Sequence, residues 1–303
     1  RVGLGCVGKL FVTTLVAALV REGALNLDDE IASHLDLDAH DDAPPLRGIT
    51  IRHLLSHSDG IGYRALASVP VDSHGLIDLA AIVAAITSDA RDFEPGKYCV
   101  EGHCGFGLVG ALVERQTRQS WTAMLRSELL ERFGGTRIAH EERPATEAGA
   151  CPSSGRGLAL NVLELGDFLR MHLNPDAVQV PLFRRRDWAS FLFERQVECP
   201  GWTPTQTGCA LGWKTFTGGW VGHNGVSAGG TVILRLHPLE GIGVAFFCPH
   251  DAPLAHASIG RLLSQYLPQW NLQQVPRLLS DSEREGLQVS KYSGRFGNQS
   301  KSI

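Results

Sequence analysis

Near residue 200 the pattern of apolar residues changes from helical to strand-like, and this change limits the fold more than any other feature. Before it, apolar residues recur at helical spacing, as in KLFVTTLVAALVREG and LNVLELGDFLRMHL. After it, glycine and proline separate four short runs that are typical of antiparallel strands: ALGWKTF, GWVGHNG, GGTVILRLHP and GIGVAFFCPH. ASIGRLLSQYL then returns to helical spacing. The chain is therefore predicted to have an α+β fold.

Composition narrows the class of partner. The 303 residues are 43% hydrophobic and 20% charged, with a formal net charge of −4, as in ordinary globular proteins. No run of five like charges occurs, which disfavours nucleic acid and anionic membranes as partners. The longest apolar stretch, from Leu10 to Val20, is too short to cross a bilayer. We expect a small-molecule or peptide-like substrate, and the oligomeric state stays open.

The cysteines are odd in number and scattered. There are seven, with no Cys-x-x-Cys pair, so we predict neither a disulfide framework nor a zinc site, and no metal. Such cysteine usage favours a reducing, cytoplasmic location. The seven positions are Cys6, Cys99, Cys104, Cys151, Cys199, Cys209 and Cys248.

A Cys-x-x-Lys sequence, Cys6 to Lys9, stands at the head of the first apolar helix. Cysteine is often a small buried core residue, and a helix lysine is often a solvated charge. A free thiol, however, has a pKa of about 8.5, far below that of an alcohol, and a helix N-terminus or a nearby ammonium lowers a thiol pKa further. Lys9 lies one turn beyond Cys6 on the same helix face. The pair is therefore a candidate nucleophile and its proton partner.

Four segments together resemble the serine β-lactamase and penicillin-binding-protein superfamily, in particular the class C β-lactamase and esterase branch. The first resembles the nucleophile helix with its S-x-x-K signature, and the third resembles the family's Pro-Gly loop with a Tyr-x-Asn motif. The last resembles the third motif in its H-x-G form. The segments are GCVGKLFVTTLVAALVREGALNLDDEI, ITIRHLLSHSDGI, FEPGKYCVEGHCGFGLVGALVE and LGWKTFTGGWVGHNGVSAGG.

The resemblance implies a β-lactamase/transpeptidase-like fold, an antiparallel sheet flanked by helices with an all-helical subdomain. We predict one domain over residues 1–270, with a helical insertion at about 45–200, strands at about 208–250 and a C-terminal helix at about 254–267. Residues 271–303 form a weakly patterned tail, expected to be the start of a truncated appended segment. Only five residues precede Cys6, so we expect the strands that precede this helix in the family to be missing and a sheet edge to be exposed.

By motif position, the resemblance implies an acyl-transfer enzyme with Cys6 as the nucleophile. Lys9 would help to remove the proton of Cys6. The backbone N–H groups of Cys6 and Val226 would form the oxyanion hole. No metal or organic cofactor is implied.

The H-x-G motif is His223-Asn224-Gly225. The resemblance implies a catalytic role for His223 and substrate binding by Asn224 and Gly225. His53 and His57 fall in a helix and turn that are structural in the family, so we predict capping or core roles for them.

Two positions depart from the family pattern. Cys6 replaces the nucleophilic serine, and Glu101-Gly102-His103 replaces Tyr-x-Asn, with Tyr98 three residues out of register. A cysteine pairs naturally with an imidazole base, so His103 is a candidate for proton transfer and Glu101 for orienting it or accepting a proton. The two departures are chemically compatible with each other.

These residues favour a cysteine-dependent enzyme that transfers an acyl group from an ester, thioester or amide through a thioester intermediate. The acceptor is water in a hydrolase, or another nucleophile in a biosynthetic acyltransferase or cyclase. Three alternatives stay open: a conventional family esterase or amidase that tolerates cysteine, a catalytically inactive binding module, and a lyase or condensation enzyme with Glu101 and His103 as acid and base.

Overall fold

The computed structural model describes residues 2–35, 46–61, 78–87, 91–130, 139–140, 158–174, 188–199, 206–227 and 229–249. All of them belong to one compact unit, Arg1–His256. The predicted C-terminal helix at 254–267 and the tail at 271–303 lie outside the described residues. Within these ranges, no helix combines the length and hydropathy needed to cross a membrane.

Eight α-helices lie in the described ranges. The first is preceded without a break by a 3-10 turn, Gly5–Gly8, which carries Cys6, and the sixth continues into a π-helical segment, Leu125–Leu130. The helices are α1 (Lys9–Arg21), α2 (Ile31–His34), α3 (Ile51–Leu55), α4 (Leu79–Thr87), α5 (Cys104–Thr117), α6 (Trp121–Met124), α7 (Val162–Leu173) and α8 (Trp188–Phe193).

The strands of the described residues form two antiparallel sheets. The larger runs in chain order through β4 (Val197–Glu198), β5 (Gln206–Cys209), β6 (Lys214–Phe216), β7 (Val221–Ser227), β8 (Gly230–His237) and β9 (Ile242–Cys248). The smaller has the order β1-β3-β2, built from β1 (Val2–Gly3), β2 (Ala139–His140) and β3 (Leu158–Leu160). The antiparallel sheet predicted from the sequence is confirmed.

The structure adds three short strands, β2, β3 and β4, within residues 45–200, where the sequence predicted only helices. Two or three residues are too few to show an alternating pattern. Strand β9, the last of the larger sheet among the described residues, has α7 packed against it, with Gly243 against the side chains of Leu169 and Leu173.

Helix α1 is the centre of the core. Its residues from Lys9 to Leu19 are all buried, which explains the long apolar run in the sequence. The ring of Phe11 stacks on Phe168 of α7 at 3.9 Å, and Phe168 lies parallel to Trp213, just before β6, at 6.3 Å. These aromatic contacts join α1 to α7, and α7 to the residue that precedes β6.

Local signals place the helix ends where the sequence predicts them. The side chain of Asn161 accepts hydrogen bonds from the backbone of Leu163 and Glu164, and the Glu164 side chain in turn accepts one from the backbone N–H of Asn161. Gly23, with φ of +75°, follows the end of α1. His53 completes a capping box with Thr50 on α3, in line with its predicted structural role.

Candidate active site

The turn that carries Cys6 lies backbone to backbone against β7. Gly5 has φ of +50°, and a Cβ atom added to it would collide with the carbonyl oxygen of Val226 and lie 2.7 Å from the Val226 nitrogen. A Cβ atom on Gly225 would collide with the carbonyl oxygen of Leu4. Only glycine permits this approach. The two backbone segments predicted to form the oxyanion hole are therefore neighbours, and Cys6, which belongs to the first of them, is half-buried.

Lys9 is fully buried, so it is not a solvated helix charge. Its ammonium group donates to Oε1 of Glu101 at 3.0 Å and to the carbonyl oxygen of Gly102 at 3.0 Å. It also lies 5.5 Å from the centre of the Phe106 ring. A lysine buried in this way points its charge into the site beside the turn of Cys6.

Glu101 is paired with two lysines and lies beside a histidine. Its Oε2 accepts a hydrogen bond from Nζ of Lys214 at 2.6 Å, and its Oε1 lies 3.6 Å from Nε2 of His223. Burial alone would raise the pKa of Glu101, but the charges of Lys9 and Lys214 outweigh burial and hold that pKa well below its usual value. The carboxylate is therefore ionised between two ammonium groups.

Lys214, at the start of β6, was missed by sequence reasoning. Burial would lower the pKa of Lys214, but the carboxylate of Glu101 more than offsets burial, and Cys6 and Cys209 raise it further. The effect of Cys6 on Lys214 places the two side chains within electrostatic reach of each other. A signal was present in the sequence: Lys214 is the charged residue of the run ALGWKTF, which otherwise reads as a buried strand.

Two buried imidazoles border the carboxylate. Burial lowers the pKa of His223 to about 3 and holds the pKa of His57 well below its usual value, so both rings are neutral. Each has a buried Nε2 atom with no hydrogen-bond partner among the described residues. His57, predicted only as structural, also packs on Phe106 with ring centres 5.0 Å apart.

The side-chain ligand atoms of His57, Glu101 and His223 lie within 4.8 Å of one another, a spacing that could hold a metal ion. The carboxylate of Glu101 is already paired with the ammonium groups of Lys9 and Lys214. These two positive charges repel an added cation. We therefore assign these residues to a charge network rather than to a metal centre.

His103 and Asn224 are the other two predicted side chains. His103 is the N-cap residue of α5, with Nδ1 buried, whereas Glu101 contacts the two lysines and His223. Asn224 accepts a hydrogen bond from Arg235 at 2.8 Å. Because neighbouring strand residues face opposite sides and Gly225 faces the turn, the side chain of Asn224 points away from it. The structure thus brings together Glu101, Lys9 and His223, with the Cys6 turn beside them.

A family model described as beta-lactamase matches residues 1–264. The chain belongs to the beta-lactamase family. Members of this family are hydrolases or acyltransferases. Penicillin-binding protein 4 of Amycolatopsis lactamdurans is 30% identical to this beta-lactamase family chain over 273 residues, which cover 80% of this chain and 70% of that protein.

Solved structures of the beta-lactamase family fold are also similar. SurE with D-Leu superposes with a TM-score of 0.69 at 24% identity, over 92% of this chain and 65% of that chain. A D-stereospecific amidohydrolase from Streptomyces sp. superposes with a TM-score of 0.66 at 18% identity, over 88% of this chain and 86% of that chain. At these identities the likeness shows the fold, and this chain spans slightly less than two thirds of SurE.

Proposed function

We propose that this beta-lactamase family chain is a cysteine-dependent acyl-transfer enzyme that acts on an ester, thioester or amide of a small or peptide-like substrate. The observation that carries the proposal is the buried Lys9–Glu101–Lys214 network beside the turn of Cys6. A reducing, cytoplasmic compartment fits a thiol nucleophile.

The charges of the network suit a thiolate. Two ammonium groups and one carboxylate leave one net positive charge, and a thiolate at Cys6 would balance it. A serine hydroxyl in the same place would need a base, whereas Glu101 is held ionised between two lysines and is a poor proton acceptor. The two departures from the family pattern, cysteine in place of serine and Glu101 in place of tyrosine, are therefore compatible with each other.

In the proposed reaction, the thiolate of Cys6 attacks the carbonyl carbon and the carbonyl electron pair moves to oxygen. The N–H groups of Cys6 and Val226 stabilise that oxyanion. The leaving group departs with a proton from Lys9, which has a third N–H group beyond the two bonded to Glu101 and Gly102. The acceptor then attacks the thioester and returns a proton to Lys9, and Cys6 leaves as a thiolate.

Glu101 and His223 are positioning residues in this scheme. The carboxylate of Glu101 holds Lys9 and Lys214 in place. The neutral Nε2 atom of His223 lies 3.6 Å from the same carboxylate.

The test is acylation by a generic activated ester, p-nitrophenyl acetate, followed by intact-mass and peptide mass spectrometry. We expect an acetyl group on Cys6, removed by neutral hydroxylamine as a thioester would be. Cys6→Ala should abolish the adduct, whereas Cys248→Ala, a buried cysteine at the end of β9, should leave it. An adduct confined to another residue, or no adduct, would overturn the proposal.

The variant Cys6→Ser distinguishes the proposed function from the alternatives left open by the sequence. A family hydrolase that tolerates cysteine predicts that Cys6→Ser retains or raises turnover of the ester, whereas our proposal predicts a fall of at least about tenfold. An inactive binding module predicts no adduct in either protein. A lyase that uses Glu101 and His103 predicts activity independent of residue 6.

A further inference from the structure

Three cysteines that are far apart in the sequence meet beside the charge network. Sγ of Cys199 donates to the carbonyl oxygen of Cys99 at 3.5 Å, and the thiols of Cys99, Cys199 and Cys209 shift one another's pKa. We call these three residues the thiol cluster. All three are thiols in this structure.

The thiol cluster joins the active-site loop to the larger sheet. Cys99 lies two residues before Glu101 in the loop that precedes α5. Cys209 of β5 lies directly opposite Lys214 of β6. Cys199 follows β4, and its backbone N–H donates to the carbonyl oxygen of Thr207 at 3.2 Å. A covalent bond from Cys99 to the sheet would therefore restrain Glu101.

Strand register decides which pair is best placed to bond. Val197 of β4 lies opposite Cys209, so Cys199 is diagonal to Cys209 on the same face. Diagonal positions are about 7–8 Å apart at Cα, which is at or beyond the limit for a disulfide between two fixed strands. Cys99 lies on a loop outside these two strands, and both Cys99 and Cys199 are half-buried, whereas Cys209 is buried.

The cluster also selects the attacking thiol. The thiols of Cys209 and then Cys99, with help from the charge of Lys214, lower the pKa of Cys199, so it is the thiol of the cluster that loses its proton most readily. The thiolate is the form that exchanges with disulfides.

We propose that Cys99 and Cys199 are a modification site: a reversible disulfide that ties the Glu101 loop to β4. The Cys199 thiolate attacks a small-molecule disulfide, forms a mixed disulfide and releases one small thiol. The thiol of Cys99 then displaces the second small thiol from the sulfur of Cys199. Two protein thiols are oxidised, one small disulfide is reduced to two thiols, and the two protein protons leave with them. The proposal does not depend on Cys6 being a nucleophile.

The first experiment maps the disulfide in the full wild-type chain. The protein is equilibrated with reduced and oxidised glutathione at several ratios, quenched in acid, alkylated and digested. We expect a peptide containing Cys99 linked to one containing Cys199, reversed by dithiothreitol and absent from Cys199→Ser. The matched control Cys248→Ser, outside the cluster, should form the link as the wild type does. A Cys199–Cys209 link, glutathione retained on Cys199, or three alkylated thiols at every ratio would each overturn the proposal.

The second measurement tests the restraint by hydrogen–deuterium exchange. The N–H of Val100 donates to the carbonyl oxygen of His57 at 2.9 Å and reports on the loop. We expect peptides covering residues 98–101 to exchange at least about threefold more slowly in the oxidised protein. Unchanged exchange in a protein that carries the disulfide would overturn the restraint on Glu101. Because neither readout uses acylation, failure here is distinguishable from failure of the proposed function.

Discussion

Glu101 pairs one carboxylate with two lysines, the fully buried Lys9 and the half-buried Lys214. Each oxygen has its own ammonium partner, at 3.0 Å for Lys9 and 2.6 Å for Lys214. Removing one partner of a buried ion pair leaves a charge without compensation, which costs more than the pair itself contributes. At the residue scale, the network should therefore respond strongly and differently to the loss of each member.

Lys214→Met should slow alkylation of Cys6. The variant removes one of two ammonium groups near the thiol while Glu101 keeps Lys9 as a partner. We expect the rate constant for iodoacetamide at Cys6 at pH 7 to fall about tenfold, measured by peptide mass spectrometry. Lys97→Met, an exposed lysine of the same loop, is the matched control and should leave the rate unchanged. Equal rates in all three proteins would show that Lys214 has no effect on the thiol.

Glu101→Gln should destabilise the protein. The amide fills the same space but leaves Lys9 and Lys214 charged and without a counter-charge. We expect the free energy of unfolding in urea at pH 7 to fall by about 3 kcal/mol. Glu94→Gln, an exposed carboxylate in the same loop, should change it by less than about 0.5 kcal/mol. A similar small effect of both variants would contradict the ion-pair network.

At the scale of elements, the site depends on how closely β7 approaches the Gly5–Gly8 turn. No side chain separates the two backbones at Gly225, where even a methyl group would collide with Leu4. The hairpin of β7 and β8 in turn holds this part of β7 in register along its whole length. The proposed oxyanion hole therefore depends on a contact between two elements rather than on either element alone.

Gly225→Ala should separate β7 from the turn. We expect a loss of about 2 kcal/mol in the free energy of unfolding and no acetyl adduct on Cys6. Gly229→Ala, in the turn of the same hairpin, is the matched control, because its Cβ would meet nothing closer than 3.8 Å. Acylation of Gly225→Ala at the wild-type rate would disprove the close contact.

The N-cap of α7 offers a test of local structure alone. Asn161→Ala removes two hydrogen bonds to the first turn and should cost about 1 kcal/mol of stability in urea unfolding. Asn161→Asp keeps a side-chain oxygen at the cap and should retain most of the stability. Equal stability of the alanine and aspartate variants would argue against the cap.

For the whole molecule, α1 and the aromatic residues around it form the core. His172 of α7 lies inside that core, 3.3 Å from the hydroxyl of Thr14, with its ring 5.1 Å from Trp213. Burial lowers the pKa of His172 to about 4, so the folded protein holds it neutral while the unfolded chain protonates it near pH 6.5. The fold therefore loses stability as the pH falls between these two values.

His172→Gln should reduce the pH dependence of stability. Below pH 6.5 and above pH 4, the wild type should lose up to about 1.4 kcal/mol more per pH unit than the variant, because its unfolded state binds one more proton. Urea unfolding at pH 7.5, 6.5 and 5.5 measures both slopes. Comparing the slopes of unfolding free energy against pH cancels any pH-independent cost of the substitution. Equal slopes for the two proteins would contradict a buried neutral His172.

Wherever a local pattern decides the structure, the sequence was sufficient. The apolar run of α1, the caps at Asn161 and Gly23, and the strands β7 to β9 depend on neighbours a few residues away. The placing of Cys6 and Lys9 at the head of a buried helix is equally local.

The sequence by itself thus determined the α+β architecture, the family motifs and the candidate nucleophile. Only the tertiary structure decided that Lys214 shares Glu101 with Lys9, that His57 borders the carboxylate, and that the thiol cluster forms. Lys9 and Lys214 reach Glu101 across 92 and 113 residues of chain. Side-chain direction at a strand end or in a loop is settled by packing around α1, and hydrophobic periodicity carries no information about it.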